Sequence, residues 1–118
     1  MQVNELMIGN WVRLVKAYGN QCDLQISVDA LDIYRISQGD YEVEPVALTP
    51  EILCNNGFVE EMDKDKIHHR YSLTEGSTYF SVKYARSVFQ WLGPLDIEYV
   101  HELQNVLKIC GINTGIIL

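Results

Sequence analysis

The stretch 96–111, DIEYVHELQNVLKICG, constrains the fold of this chain more than any other. Val100, Leu103, Leu107 and Cys110 recur at 3-4-3 spacing, and Tyr99 and Val106 widen the stripe, so an amphipathic helix is predicted here. Asp96 is placed to cap its start. Glu98 suits the positive first turn, Lys108 the last turn, and Gly111 a left-handed stop. The polar face (Glu98, His101, Glu102, Asn105) carries no catalytic spacing. Such a helix packs on a sheet: Leu103 and Leu107 should be buried, and Glu98, Glu102 and Asn105 wet.

Upstream residues supply the strands. Over 10–16, NWVRLVK, Trp11, Arg13 and Val15 point one way and Val12, Leu14 and Lys16 the other, between the turn pairs Gly9-Asn10 and Gly19-Asn20. Over 22–28, Cys22, Leu24, Ile26 and Val28 alternate with Asp23, Gln25 and Ser27, which predicts one buried and one wet face. Residues 33–36 read as a weaker strand ended by Ser37-Gln38-Gly39-Asp40. Residues 41–46 follow, with Pro45 marking an edge or a strand end. Thr49 and Pro50 then start a short helix as N-cap and first helical residue, and Leu48 and Leu53 have the spacing of a hydrophobic staple. Gly57 ends it, and Phe58 can fold back onto Leu53. Residues 60–66 read as a solvated turn, and 67–74 as a strand with Ile67, His69, Tyr71 and Leu73 on one side. Glu75-Gly76-Ser77 turns the chain into 78–92. That is too long for one strand, so a hairpin or kink is expected near 85–87, and Gly93-Pro94 stops the segment. The expectation is one α+β domain, 1–118: a small antiparallel, SH3-like or barrel-like sheet, a short middle helix and a C-terminal amphipathic packing helix.

Composition narrows the class. An apolar content of 47% is too high for disorder, and no apolar run approaches the ~20 residues of a membrane helix. The start, MQVNELMIGN, lacks a basic n-region and carries Glu5, so a cytoplasmic protein without a membrane partner is expected. Cys22, Cys54 and Cys110 are too few and scattered for a disulfide framework and read as buried thiols. The net charge of −7 is regional. Between residues 29 and 65, ten acids face only Arg35 and Lys64; that window is −8, and the rest of the chain sums to +1. Such a window disfavours a phosphate backbone and permits a basic partner.

His68 and His69 are strand neighbours on opposite faces, and no Cys or carboxylate stands at ligand spacing, so no metal is expected. Glu60-Glu61-x-Asp63-x-Asp65 lacks the glycine and bidentate acid of a calcium loop. No nucleophile elbow or phosphate-cradling glycine loop is present, so neither catalytic residues nor a cofactor are expected. The surplus is aromatic: Trp11, Tyr18, Tyr34, Tyr41, Tyr71, Tyr79, Phe80, Tyr84, Phe89 and Trp91. Tyr79 and Phe80 cannot both face inward on one flat strand. An exposed set would form a recognition surface, and beside Arg70, Lys83 and Arg86 it would stack bases.

Three blocks stand in order: 5–12 (ELMIGNWV), 43–58 (VEPVALTPEILCNNGF) and 97–105 (IEYVHELQN). Together they resemble a family of small uncharacterised proteins encoded in gut-anaerobe genomes, often on phages and mobile elements, with ELRIGNWV-, EPIPLTPEILEKNGF- and YVHQLQN-like segments. The chain departs from that pattern in a longer, less glycine-rich 78–92 segment and in its tail, GINTGIIL. The resemblance implies a mobile-element accessory protein and supplies no site residues. The opening block also resembles the first strand of SH3-like barrels, a likeness of fold alone. The leading expectation is a non-catalytic interaction module that docks a host or phage protein through the acidic window, at Glu60, Glu61, Asp63 and Asp65, or through exposed aromatics. The second is a nucleic-acid-associated protein using Arg70, Lys83, Arg86 and the later aromatics. An enzyme built around His68, His69 or His101 comes third.

Overall fold

A computed structural model describes residues 1–91 and 95–118. The expectations placed on Leu92, Gly93 and Pro94 lie outside the described residues. The chain falls into two compact units: Met1–Ala47 with Tyr99–Asn105 and Leu118, and Leu48–Glu98 with Val106–Ile117. The class is α+β, with two antiparallel sheets and three α-helices among the described residues. Neither sheet is a closed barrel, which corrects the barrel-like expectation: three and five strands each keep two open edges.

In the first unit, β1 (Trp11–Ala17) lies between β2 (Asn20–Ser27) and β3 (Tyr41–Pro45). Tyr18 and Gly19 both have positive φ (50° and 83°), the backbone that a two-residue hairpin needs to follow strand twist. Val12 and Leu14 are buried with Leu6, Val28 and Val43, as the alternation of β1 predicts. The alternation of β2 misleads. Cys22 is exposed and Leu24 is 56% exposed, while Ile26 packs half-buried against the core and Val28 lies within it. Pro45 ends an edge strand, where its missing N–H removes nothing from the ladder.

Residues 33–36 are not a strand but part of α1 (Ala30–Ser37). Asp29 caps it: its Oδ1 accepts from the Asp32 N–H at 2.8 Å, and its own N–H donates to Asp32 Oδ2 at 3.1 Å. This is a capping box made from two aspartates. Four residues, IYRI, fit either period; the Asp29/Asp32 spacing decides for the helix.

In the second unit, α2 (Pro50–Asn55) follows its local signals. Thr49 caps it, and Leu48 and Leu53 are buried. Five strands then form a sheet in sequence order: β4 (Val59–Met62), β5 (His69–Glu75), β6 (Thr78–Ala85), β7 (Val88–Trp91) and β8 (Leu95–Ile97). The hairpin expected near 85–87 is present, with Arg86 and Ser87 at φ 57° and 65°. The solvated turn expected over 60–66 is shorter, because 59–62 pair with 69–72.

The C-terminal helix, α3, runs Val100–Ile109. Asp96 does not cap it; Leu95 and Ile97 pair with Trp91 and Phe89, which draws Asp96 into β8. Instead the Tyr99 N–H donates to Glu102 Oε1 at 3.0 Å. Leu103 and Leu107 are buried and Glu98 is exposed, as expected; Glu102 and Asn105 are half-buried, and His101 is buried. All three helices stop the same way. After α1, α2 and α3, Gly39, Gly57 and Gly111 take positive φ, and each next residue's N–H returns to a carbonyl five residues back (Arg35, Leu53 and Leu107). Beyond Gly111, the Glu75 carboxylate accepts from the Asn113 and Thr114 N–H groups and the Thr114 hydroxyl, anchoring the tail.

Candidate functional site

Strand register in the five-stranded sheet places each side chain of the candidate site. Glu61, Arg70, Lys83, Gln90 and Asp96 stand opposite one another on successive strands, one row from β4 to β8. Opposed residues share a face, and the two-residue period adds Ser81 and Tyr79 to it. The other face holds Tyr71, Leu73, Phe80, Val82 and Phe89, all buried.

The 63–68 turn brings two carboxylates to this row. Asp65 Oδ1 accepts from the Ile67 and His68 N–H groups at 2.9 and 3.0 Å, wrapping the turn around its own side chain. The Asp63 N–H donates to the His68 carbonyl at 2.8 Å. Arg70 Nε then donates to Asp63 Oδ1 at 2.7 Å, and Lys83 Nζ lies 2.8 Å from Asp65 Oδ2. The His68 backbone N–H, with Lys83, holds the Asp65 carboxyl well below the ordinary carboxylate range. Arg70 does the same for Asp63, and Asp65 pushes the Lys83 ammonium up. Two acidic and two basic side chains thus meet in one cluster.

The acidic window is therefore divided rather than gathered into one solvated patch. Glu60 and Glu61 lie exposed on β4, and Glu60 Oε1 sits 2.7 Å from His69 Nδ1. The Asp63 side chain is only 9% exposed, because the turn folds it over the sheet onto Arg70. Asp29 and Asp32 cap α1, and Glu44 pairs with Arg13. Arg70 and Lys83 do share a face; Arg86 sits at the exposed β6–β7 hairpin tip.

Beside the ion-pair cluster runs a groove of about 500 Å³ lined by Arg70, Tyr79, Phe80, Ser81, Lys83, Gln90 and Trp91. Both cations line it; neither Asp63 nor Asp65 does. Arg70 Nη1 donates to Ser81 Oγ at 2.9 Å, so Arg70 is held at two points. Phe80 and Trp91 pack with ring centroids 5.9 Å apart, and Tyr79 is 60% exposed. Sequence reading missed Ser81 and Gln90. Their signal was parity with Lys83, usable only once the hairpin turn was located at Arg86-Ser87.

The histidines do not converge. His68 Nδ1 lies 2.8 Å from Asp65 and His69 Nδ1 2.7 Å from Glu60. Among the described residues, no group of three His, Cys, Asp or Glu side chains is placed to hold a metal ion. Cys22 and Cys54 are exposed and Cys110 is half-buried, all with free thiols, which corrects the expectation of buried cysteines: β2 is an edge, and Cys54 faces out from α2.

A second polar cluster lies in the first unit. Asn10 Oδ1 accepts from the Met7 N–H at 2.7 Å, and Asn10 Nδ2 donates to Asn105 Oδ1 at 2.9 Å. The Gln104 amide accepts from the Trp11 N–H and donates to the Gly9 carbonyl. The Val100 N–H donates to the Val46 carbonyl. Residues from all three blocks quoted above thus meet here, and the helix face read as solvated binds backbone instead. His101 is 2% exposed and stacked on Tyr99; its Nε2 is 3.8 Å from Glu5, and its Nδ1 has no hydrogen-bond partner among the described residues. Burial pushes its pKa down.

No helix among the described residues is long and apolar enough to cross a membrane. Comparison of the chain with protein-family models, with curated proteins and with solved structures finds no match.

Proposed function

We propose that the protein is a non-catalytic interaction module, an accessory of a phage or mobile element, that binds a basic partner protein in the cytoplasm along the edge of β4. One observation carries this reading. β4 is an edge strand with all four residues exposed, Val59 at 63% and Met62 at 54%, and with Glu60 and Glu61 between them. An exposed apolar edge is a template for a further strand, and the two glutamates select Lys or Arg on the incoming segment. Asp63 and Asp65 leave the docking surface, because Arg70 and Lys83 hold them. The test is capture of partners from host lysate at low and high salt, repeated with Glu60→Lys/Glu61→Lys and with Met62→Asp. A salt-sensitive, Lys/Arg-rich partner lost in both variants supports the reading. Unchanged capture removes β4 from it.

A second reading rests on the groove. Arg70 and Lys83 share a face and a groove with the exposed Tyr79, and Trp91 borders that groove, which favours a nucleic-acid-associated protein that stacks unpaired bases. Titration with single- and double-stranded oligonucleotides tests it. Absence of binding at about 50 mM salt, where electrostatic binding is strong, ends it.

A further inference from the structure

We infer that the groove beside Arg70 and Lys83 is a binding site for one small molecule made of a planar ring carrying a single anionic group, the chemistry shared by a nucleoside monophosphate and an aromatic carboxylate. The site is independent of the β4 edge.

The arrangement of charge is the first ground. The 63–68 turn is already closed by Asp65 on the Ile67 and His68 N–H groups and by Asp63 on the His68 carbonyl, so neither cation is needed to shape it. What the carboxylates do is hold Arg70 and Lys83 in place from behind, while only the cations reach the groove. Among the described residues, Asp63 and Ser81 engage two of the five guanidinium N–H bonds, which fixes the plane and leaves further donors for a ligand. Fixed, partly desolvated donors are what an anionic group binds best.

The second ground is aromatic surface. Tyr79 is 60% exposed on the face that carries Arg70 and Lys83 and lines the same groove, which Trp91, tilted against Phe80, borders. A volume of about 500 Å³ lies in the small-molecule range of ~300–1,000 Å³ and matches one ring with its substituent. The third ground is selectivity. The groove presents Arg70 and Lys83 side by side, so one anionic group set between them meets both, whereas the −7 of the chain opposes a polyanion that runs beyond them.

The experiment is titration of ¹⁵N-labelled full-length protein with adenosine 5′-monophosphate, adenosine, inorganic phosphate, indole-3-acetate and a single-stranded oligonucleotide, followed by NMR. The expected result is saturable binding of the monophosphate, the indole carboxylate or both, with shifts centred on Ser81, the Gln90 side-chain amide and the Trp91 indole N–H. Adenosine and phosphate alone should bind at least tenfold more weakly. Which of the two ring anions binds more tightly identifies the source class. Tyr79→Ala, at an exposed position, should weaken binding about tenfold with the fold intact, and Lys83→Gln at least as much, whereas Glu60→Lys should leave it unchanged. Absence of binding by both ring anions, shifts centred elsewhere, or indifference to Tyr79→Ala and Lys83→Gln overturns the inference. Binding of the oligonucleotide alone also overturns it and supports the nucleic-acid reading. Loss of partner capture in the β4 variants with ligand binding intact separates this site from the proposed function.

Discussion

Strands β2 and β6 are written in the same code and end in different environments. In β2, Cys22, Leu24 and Ile26 alternate with Asp23, Gln25 and Ser27; in β6, Phe80, Val82 and Tyr84 alternate with Tyr79, Ser81 and Lys83. β6 lies between β5 and β7, and Phe80 and Val82 are buried at 3% and 0%. β2 is an edge, and every one of its residues except Ile26 is exposed. Alternation therefore identifies the side chains that share a face. Whether that face is covered depends on what packs over it, and this is a property of the strand's place in the sheet.

The difference is measurable. The largest effect should come from Phe89→Ala in β7, which faces Tyr71 and Tyr84 with ring centroids 5.9 and 4.6 Å away and is 0% exposed. Denaturant unfolding should show a loss of ~3–5 kcal/mol. A loss below ~1 kcal/mol would mean that this face is as open as that of β2. Leu103→Ala, at another position that is 0% exposed, should cost ~2–5 kcal/mol by the same measurement. A small cost there would place the helix stripe against a partner chain instead.

Acid should act on the first unit through His101. Burial lowers its pKa below the ordinary value of 6.5, so the unfolded chain takes up the proton first. The stability held by neutral His101 is complete above pH 6.5 and declines as pH falls from there toward the folded pKa. His101→Phe should flatten the pH dependence of the melting temperature below about pH 6.5. An unchanged slope would show that His101 is not the group responsible. A smaller effect, in the opposite direction, is expected at the β6–β7 turn. Arg86 and Ser87 hold left-handed backbone that glycine adopts without strain. Ser87→Gly should add roughly 0.5–1 kcal/mol of stability, and any destabilisation would show that the Ser87 side chain has a role of its own. Smallest of all, Leu24→Ala should change stability by no more than ~0.5 kcal/mol, despite being a leucine in an alternating strand. A cost above ~2 kcal/mol would require its face to be covered in solution, by a second copy or a partner.

Much of the secondary structure was legible because its signals are local. Thr49-Pro50 opens α2, and Gly57 and Gly111 close their helices, because caps and left-handed stops depend on backbone groups within one turn. The 85–87 turn was found from strand length alone, with no turn residue to mark it. The misread segments are those in which local codes compete. IYRI over 33–36 fits two periods, and Asp96 was an apt cap until pairing of Leu95 and Ile97 took it into β8.

The candidate site was legible only in pieces. Adjacency in sequence groups Glu60, Glu61, Asp63 and Asp65 and sets Arg70 and Lys83 on a rival surface. Neighbours along the chain are enough to set the charges, the helix stops at Gly57 and Gly111 and which side chains of each strand lie together. Tertiary packing alone turns Asp63 and Asp65 back onto Arg70 and Lys83, buries His101 and leaves Cys22 and Leu24 of β2 exposed. Ion pairing, burial and coverage depend on distances between residues far apart in sequence. Those distances are fixed by strand register and packing, which local composition does not encode.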